Sequence, residues 1–170
     1  MKKIRSTQVY YAIYKSKEFV LVKNDEDKTS EWILFASDYY NNKESGKECN
    51  FIKVENRYYL PITPSQVGCA YRIKNFCECL GDVLKCGYDD EKQEFTFDMR
   101  SESKEICEKH GLSHAWERSN VSRGIEDVDL WFVAPDSEIL NVWEIHEPIK
   151  DFPFKGPEKV WVKKDGVWLR

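Results

Sequence analysis

The stretch that most constrains this chain is residues 125–147, Ile-Glu-Asp-Val-Asp-Leu-Trp-Phe-Val-Ala-Pro-Asp-Ser-Glu-Ile-Leu-Asn-Val-Trp-Glu-Ile-His-Glu. Two runs of β-branched and aromatic residues flank Pro135, Asp136, Ser137 and Glu138, a pattern that predicts a β-hairpin turned by proline and by Asp/Ser side chains bonding their own backbone. A two-residue or a four-residue loop gives the same register. Val133 faces Leu140, Trp131 faces Val142, Asp129 faces Glu144 and Asp127 faces His146. The opposite face carries Val128, Leu130, Phe132 and Ala134 against Ile139, Asn141, Trp143 and Ile145, so the pair is expected inside a sheet covered on both sides. Its open end gathers Asp127, Asp129, Glu144 and His146. Like charges opposed in a sheet repel, so this end requires compensation.

The 170 residues suffice for one domain, 1–170, with a real core. Charged residues at 33% and aromatics at 14% place the chain among ordered globular proteins. A net charge of −4 speaks against a dedicated nucleic-acid or anionic-membrane binder. Met1-Lys2-Lys3 is followed by Ile4-Arg5-Ser6-Thr7-Gln8 rather than by an apolar run, and no segment is long and apolar enough to span a bilayer; the expected location is cytoplasmic.

Along the chain, residues 8–14 and 18–23 predict a hairpin, with Tyr10, Ala12 and Tyr14 on one face and Tyr11 and Ile13 on the other. Residues 31–37 predict a buried strand and 38–50 an exposed polar loop. Residues 51–62 predict a hairpin turning at 55–57. Thr63 and Pro64 can open a helix, weakened by Gly68. Residues 82–88 and 94–99 predict another hairpin. Residues 101–110 predict the one clear helix, stopped by Gly111. Residues 112–124 are a polar stretch around Trp116, and residues 159–170 a hairpin with Asp165-Gly166 at its turn. The fold class is α+β: a strand-rich single domain of antiparallel hairpins with one helix.

Cys77, Cys79, Cys86 and Cys107 with His110 supply the thiolate and imidazole that zinc prefers, although Cys77-x-Cys79 is tighter than a usual knuckle. In an extended segment Cys77 and Cys79 share a face, so the same residues also read as small core hydrophobes, reduced in the cytosol. No phosphate-binding glycine loop, nucleophile elbow or zinc-protease helix is present.

Residues 108–146 resemble the catalytic core of PD-(D/E)XK nucleases. Glu108-Lys109-His110-Gly111-Leu112 matches a helix end at glycine, Asp127-Val128-Asp129-Leu130 a strand bearing aspartate, and Val142-Trp143-Glu144-Ile145-His146 a strand bearing the Glu-x-Lys pair. The resemblance implies a divalent metal such as magnesium on Asp129 and Glu144, with His146 standing where the family has lysine. A fixed cation is thereby replaced by a group mostly neutral at pH 7, which could serve as ligand or base. The alternative is structural: Asp127 and His146 pair, and Asp129 and Glu144 are solvated.

An acidic, aromatic-rich domain without a catalytic motif reads first as a non-enzymatic partner-binding protein, of the immunity or inhibitor type, that neutralises a basic toxin or nuclease. The rival is a metal-dependent nuclease or its inactive descendant, and a zinc-binding structural domain comes third. Partner contacts are expected at Asp127, Trp116, Tyr39 and Tyr40, without involvement of a membrane.

Overall fold

The computed structural model describes residues 4–24, 31–40, 42–98, 103–119 and 127–169; for residues 24, 31, 98, 103, 113–119 and 127–131 it describes the backbone alone. It is strand-rich and antiparallel, with two short α-helices among the described residues. The packing divides the chain into two compact units. Residues 6–74 and 145–159 form the first, and residues 2–5, 75–144 and 160–170 the second.

The first unit is built from β1 (Tyr10–Tyr14), β2 (Lys17–Asn24), β3 (Glu31–Ala36), β4 (Ile52–Val54), β5 (Arg57–Ile62) and the start of β6 (Cys69–Cys79). Their order is β6-β1-β2-β3-β5-β4, every neighbour antiparallel. The predicted first hairpin forms around Lys15 and Ser16, whose φ of 49° and 62° match the right-handed twist of the strands they join. Its faces separate as the alternation requires. Ala12, Phe19, Leu21, Leu34 and Ala70 build one apolar cluster, and Tyr11, Val20, Tyr71 and Ile73 build another.

Residues 38–50 are not the exposed loop that their polarity suggests. Asp38–Tyr40 make a 3-10 turn and Lys43–Glu48 a short helix, α1. Gly46 is the reason α1 can close onto the sheet: a Cβ there would stand 2.7 Å from Ala36 Cβ and 3.2 Å from Tyr58 Cβ. The helix expected after Thr63 is likewise only a 3-10 turn at Pro64–Gln66, closed by a Thr63/Gln66 capping box. Beyond it the strictly alternating burial of Tyr71, Ile73, Asn75, Cys77 and Cys79 belongs to β6, a strand of eleven residues.

The second unit contains the end of β6, β7 (Asp82–Lys85), β8 (Gly87–Asp89), β9 (Glu94–Asp98), α2 (Ser103–Lys109), β10 (Ser113–Ser119), β11 (Asp127–Pro135), the start of β12 (Asn141–Pro148), β13 (Lys159–Lys164) and β14 (Val167–Trp168). Helix α2 ends as expected, with Gly111 left-handed at φ 64°, while Ser101 lies outside the described residues. The final hairpin also forms at its Asp-Gly turn, Asp165 and Gly166 having φ of 50° and 81°. The hairpin predicted for 82–99 is redistributed. β7 pairs with β6, and only β8 and β9 pair with each other.

The central hairpin is the main correction. β11 and β12 do not pair. β11 is flanked on both edges, by β10 with Asp129 opposite Glu117 and by β9 with Phe132 opposite Phe97. β12 lies between β13 and β6. The polar stretch around Trp116 supplies the partner strand β10. Pro135, the 3-10 turn Asp136–Glu138 and wholly buried Ile139 form a crossover between sheets instead of a tight turn. Both strands are apolar on two faces because each is an interior strand. Phe95, Phe97, Phe132, Ala134, Val142 and Val162 meet in the core of this unit.

Candidate functional site

The candidate acidic cluster is dispersed. Asp127 and Asp129 lie on β11 and Trp116 on β10, where the backbone alone is described. Glu144 is on β12, in the second unit, and it is 0% exposed rather than solvated. Arg5 grips it: Nε lies 3.1 and 3.2 Å from the two carboxylate oxygens, and a terminal guanidinium nitrogen binds Oε2 as well. Asn75 Nδ2 in turn donates to the Arg5 carbonyl at 2.9 Å. A buried carboxylate needs such a partner, and the bidentate fork of arginine matches its geometry. Glu144 is therefore already neutralised by a protein cation.

His146 lies in the first unit. Its ring stacks on Tyr71 at 4.2 Å and 7°, its backbone N–H donates to Glu158 O at 2.7 Å, and the Tyr71 hydroxyl donates to Glu18. Only 6% of His146 is exposed.

Cys77, Cys79, Cys86 and Cys107 do converge, but in the apolar core beside Leu84, Phe95 and Phe97. All are unbridged. A hydrogen bond with Cys86, then burial, pushes the Cys77 thiol far up; burial pushes Cys79 and Cys107 up to about 11. His110 turns to Asp82 instead, with Nε2 2.9 Å from Oδ2, and that bond holds the Asp82 carboxyl below its ordinary range. Among the described residues no group of three or more His, Cys, Asp or Glu is placed to hold a metal ion.

Tyr39 and Tyr40 sit on the 3-10 turn of the first unit. Tyr40 packs edge-on against Phe35 at 5.7 Å, and Tyr39, 62% exposed, packs edge-on against Tyr40 at 4.8 Å. Tyr39 thus presents an aromatic ring to solvent on a fixed base.

Among the described residues of the second unit a further enclosed cation is Lys163. Only 3% exposed, it donates to Asp136 O at 2.7 Å and Asp136 Oδ1 at 2.9 Å and lies over the rings of Trp168 at 5.3 Å and Phe95 at 6.0 Å. Trp168 Nε1 donates to the other oxygen of Asp136 at 3.3 Å. This is a cation cage filled by the protein's own ammonium, and it fastens the β13–β14 hairpin to the Asp136–Glu138 turn.

Electrostatically the chain is uneven. Residues 75–144 carry 17 Asp and Glu against 7 Lys and Arg, and residues 2–5 and 160–170 of the same unit add 1 against 6, so the second unit has a net charge of −5 and the first, with 12 against 13, a net charge of +1. The described part of the acidic segment includes the β8–β9 turn, where Asp89 Oδ1 accepts the N–H groups of Glu91 and Lys92 at 2.9 and 3.1 Å and leaves the neighbouring carboxylates outermost. No helix among the described residues is long and apolar enough to cross a membrane.

No family model, curated protein or solved structure matches the chain.

Proposed function

We propose that this chain is a partner-binding protein, of the immunity or inhibitor type, whose acidic segment receives a basic protein such as a nuclease or toxin. The observation that carries this reading is the uneven charge, a net −5 on the second unit against +1 on the first, with 17 of the second unit's 18 acidic residues in residues 75–144. A field of one sign over one part of a molecule steers an oppositely charged partner and speeds encounter. The fate of the catalytic candidates agrees with it. Glu144 is engaged by Arg5, His146 is stacked between strands, and Asp129 stands opposite Glu117.

Capture from the native cell tests the reading, with two baits: the wild-type chain and a variant with Asp90, Glu91 and Glu94 changed to amides. The expected result is a stoichiometric basic protein on the wild-type bait, held more weakly by the variant and released as salt screens the field. Cleavage of DNA or RNA by the purified chain with Mg²⁺ or Mn²⁺, abolished by Asp129→Asn, would overturn it in favour of the nuclease.

A further inference from the structure

Among its described residues the first unit leaves three large apolar side chains more than half exposed, Tyr39 at 62%, Ile52 at 61% and Val54 at 53%, and they belong to one surface. The Tyr39 ring packs on Tyr40 at 4.8 Å, Tyr40 on Phe35 at 5.7 Å and Phe35 on Tyr59 at 5.3 Å. Tyr59 stands directly across from Ile52 in the β4–β5 ladder, and Val54 lies two residues along β4, so both project from the same face as Tyr59. Phe35 is in turn opposite Val20, which is 1% exposed. One apolar face thus runs from the core at Val20, through half-buried Phe35 and Tyr59, to open surface at β4. The other face of β3 and β5 is the one α1 closes, with Gly46 against Ala36 and Tyr58.

β4 is also the last strand of its sheet. Its hairpin with β5 closes on the two-residue turn Glu55-Asn56, Glu55 being left-handed at φ 54°. In such a hairpin the pair next to the turn, Val54 and Arg57, exchanges backbone hydrogen bonds, as does Ile52 with Tyr59, which leaves the N–H and C=O of Lys53 pointing away from β5. Neither group has a backbone partner among the described residues. On both sides of Lys53 the edge is closed: the Phe51 N–H is taken by Gly46 O at 3.0 Å, and Glu55 leaves the extended conformation. What β4 offers is a three-residue edge, Ile52-Lys53-Val54, exposed throughout and centred on Lys53.

The charges at this edge are those of Lys53 and Arg57, both exposed and neither in an ion pair among the described residues. The carboxylates of the adjoining elements, Asp38, Glu44 and Glu48, are held by Lys43, Lys47 and Lys17. Glu55, in the turn, lies past the end of the strand. A second copy of this chain does not fit the edge, because a two-fold pairing over three residues sets Lys53 directly opposite Lys53, and a lysine in the middle of an edge strand is a device that keeps identical edges apart. A strand with a carboxylate opposite Lys53 has the complementary charge. Alternation then places its two neighbouring side chains on the face of Ile52, Val54 and Tyr59, where apolar residues fit.

From the open edge, its charge and the apolar face beside it we infer that β4 takes an extended segment of a partner protein as an added strand, with Asp or Glu opposite Lys53 between two apolar residues that pack beside Ile52 and Val54. The main-chain groups of Lys53 set the register, and the apolar face supplies most of the contact. This site lies in the first unit and does not rest on the acidic segment of the second.

The test titrates the full chain, labelled with ¹⁵N, with two end-blocked peptides, Ser-Thr-Val-Glu-Val-Thr-Ser and the same sequence with Lys in place of Glu. The Glu peptide should shift the amide signals of β4, slow the exchange of the Lys53 N–H with water, and bind at least about fivefold more tightly than the Lys peptide. Lys53→Glu should reverse that order while the melting temperature stays near wild type, since the side chain is exposed, and Ile52→Ser with Val54→Ser should weaken the Glu peptide on the wild-type edge charge. The inference fails if neither peptide binds at millimolar concentration, if both bind alike, if the preference survives Lys53→Glu, or if the shifts gather away from β4. A wild-type chain that sediments as a dimer, broken by Ile52→Ser with Val54→Ser, would give the face to a second copy and overturn it as well.

Discussion

Glu144→Gln separates a metal-binding role for β12 from a structural one. The amide keeps the shape of the carboxylate but removes its charge, leaving the Arg5 guanidinium, which is 19% exposed, facing a neutral group. Removing one partner of a buried pair costs about 3–5 kcal/mol; because Arg5 retains some contact with water, the expected loss lies near about 3 kcal/mol. Arg5→Gln should cost more. It strands a carboxylate that is 0% exposed, and solvent cannot relieve it. The double variant should be less destabilised than the two single losses added together, since each single change leaves the other charge uncompensated. Urea unfolding at pH 7, with and without millimolar Mg²⁺, measures all three. A Glu144→Gln variant as stable as wild type, or a wild type stabilised by Mg²⁺ in a way that Glu144→Gln abolishes, would refute the assignment of Arg5 as its partner.

Three further outcomes are expected. With burial holding Cys79 and Cys107 up near 11 and Cys77 higher still, iodoacetamide at pH 8 should leave these thiols unmodified in the folded chain and alkylate them in denaturant; rapid native-state labelling read by mass spectrometry would contradict the core placement. Gly46→Ala should destabilise by about 1–3 kcal/mol, because its Cβ would lie 2.7 Å from Ala36 Cβ, and a melt unchanged by the substitution would show that α1 is not pressed onto the sheet. Leu80→Asn should stabilise the fold by about 1 kcal/mol by relieving a left-handed leucine; a melting temperature below wild type would mean that the Leu80 side chain serves the fold.

Local pairings were readable from sequence wherever a turn and two alternating runs were contiguous. The β1–β2, β4–β5 and β13–β14 hairpins are such cases, and so is the end of α2 at Gly111. What could not be read was which strand an interior strand takes as its neighbour. An apolar run covered on two faces carries no mark of its partner, and β10, whose backbone pairs along seven residues of β11, reads Ser-His-Ala-Trp-Glu-Arg-Ser and looks like a loop. Gly46 misled in the opposite direction: a glycine in a polar stretch suggests an open loop, yet here it is buried because only a bare Cα fits against Ala36.

The same limit explains the candidate site. Parity along β12 correctly puts Val142, Glu144 and His146 on one buried face, since side-chain alternation is a local property of the strand. The identity of what meets that face is set by residues 139 positions away, at Arg5, and by Asn75 on β6. Nothing in the spacing of Arg5 to Glu144 announces an ion pair, whereas Asp129 and Glu144 flanking a proline-containing turn do suggest a cluster. A carboxylate in an interior strand covered on both faces is thus better read first as a charge seeking an internal cation, because desolvating it unpaired is prohibitive.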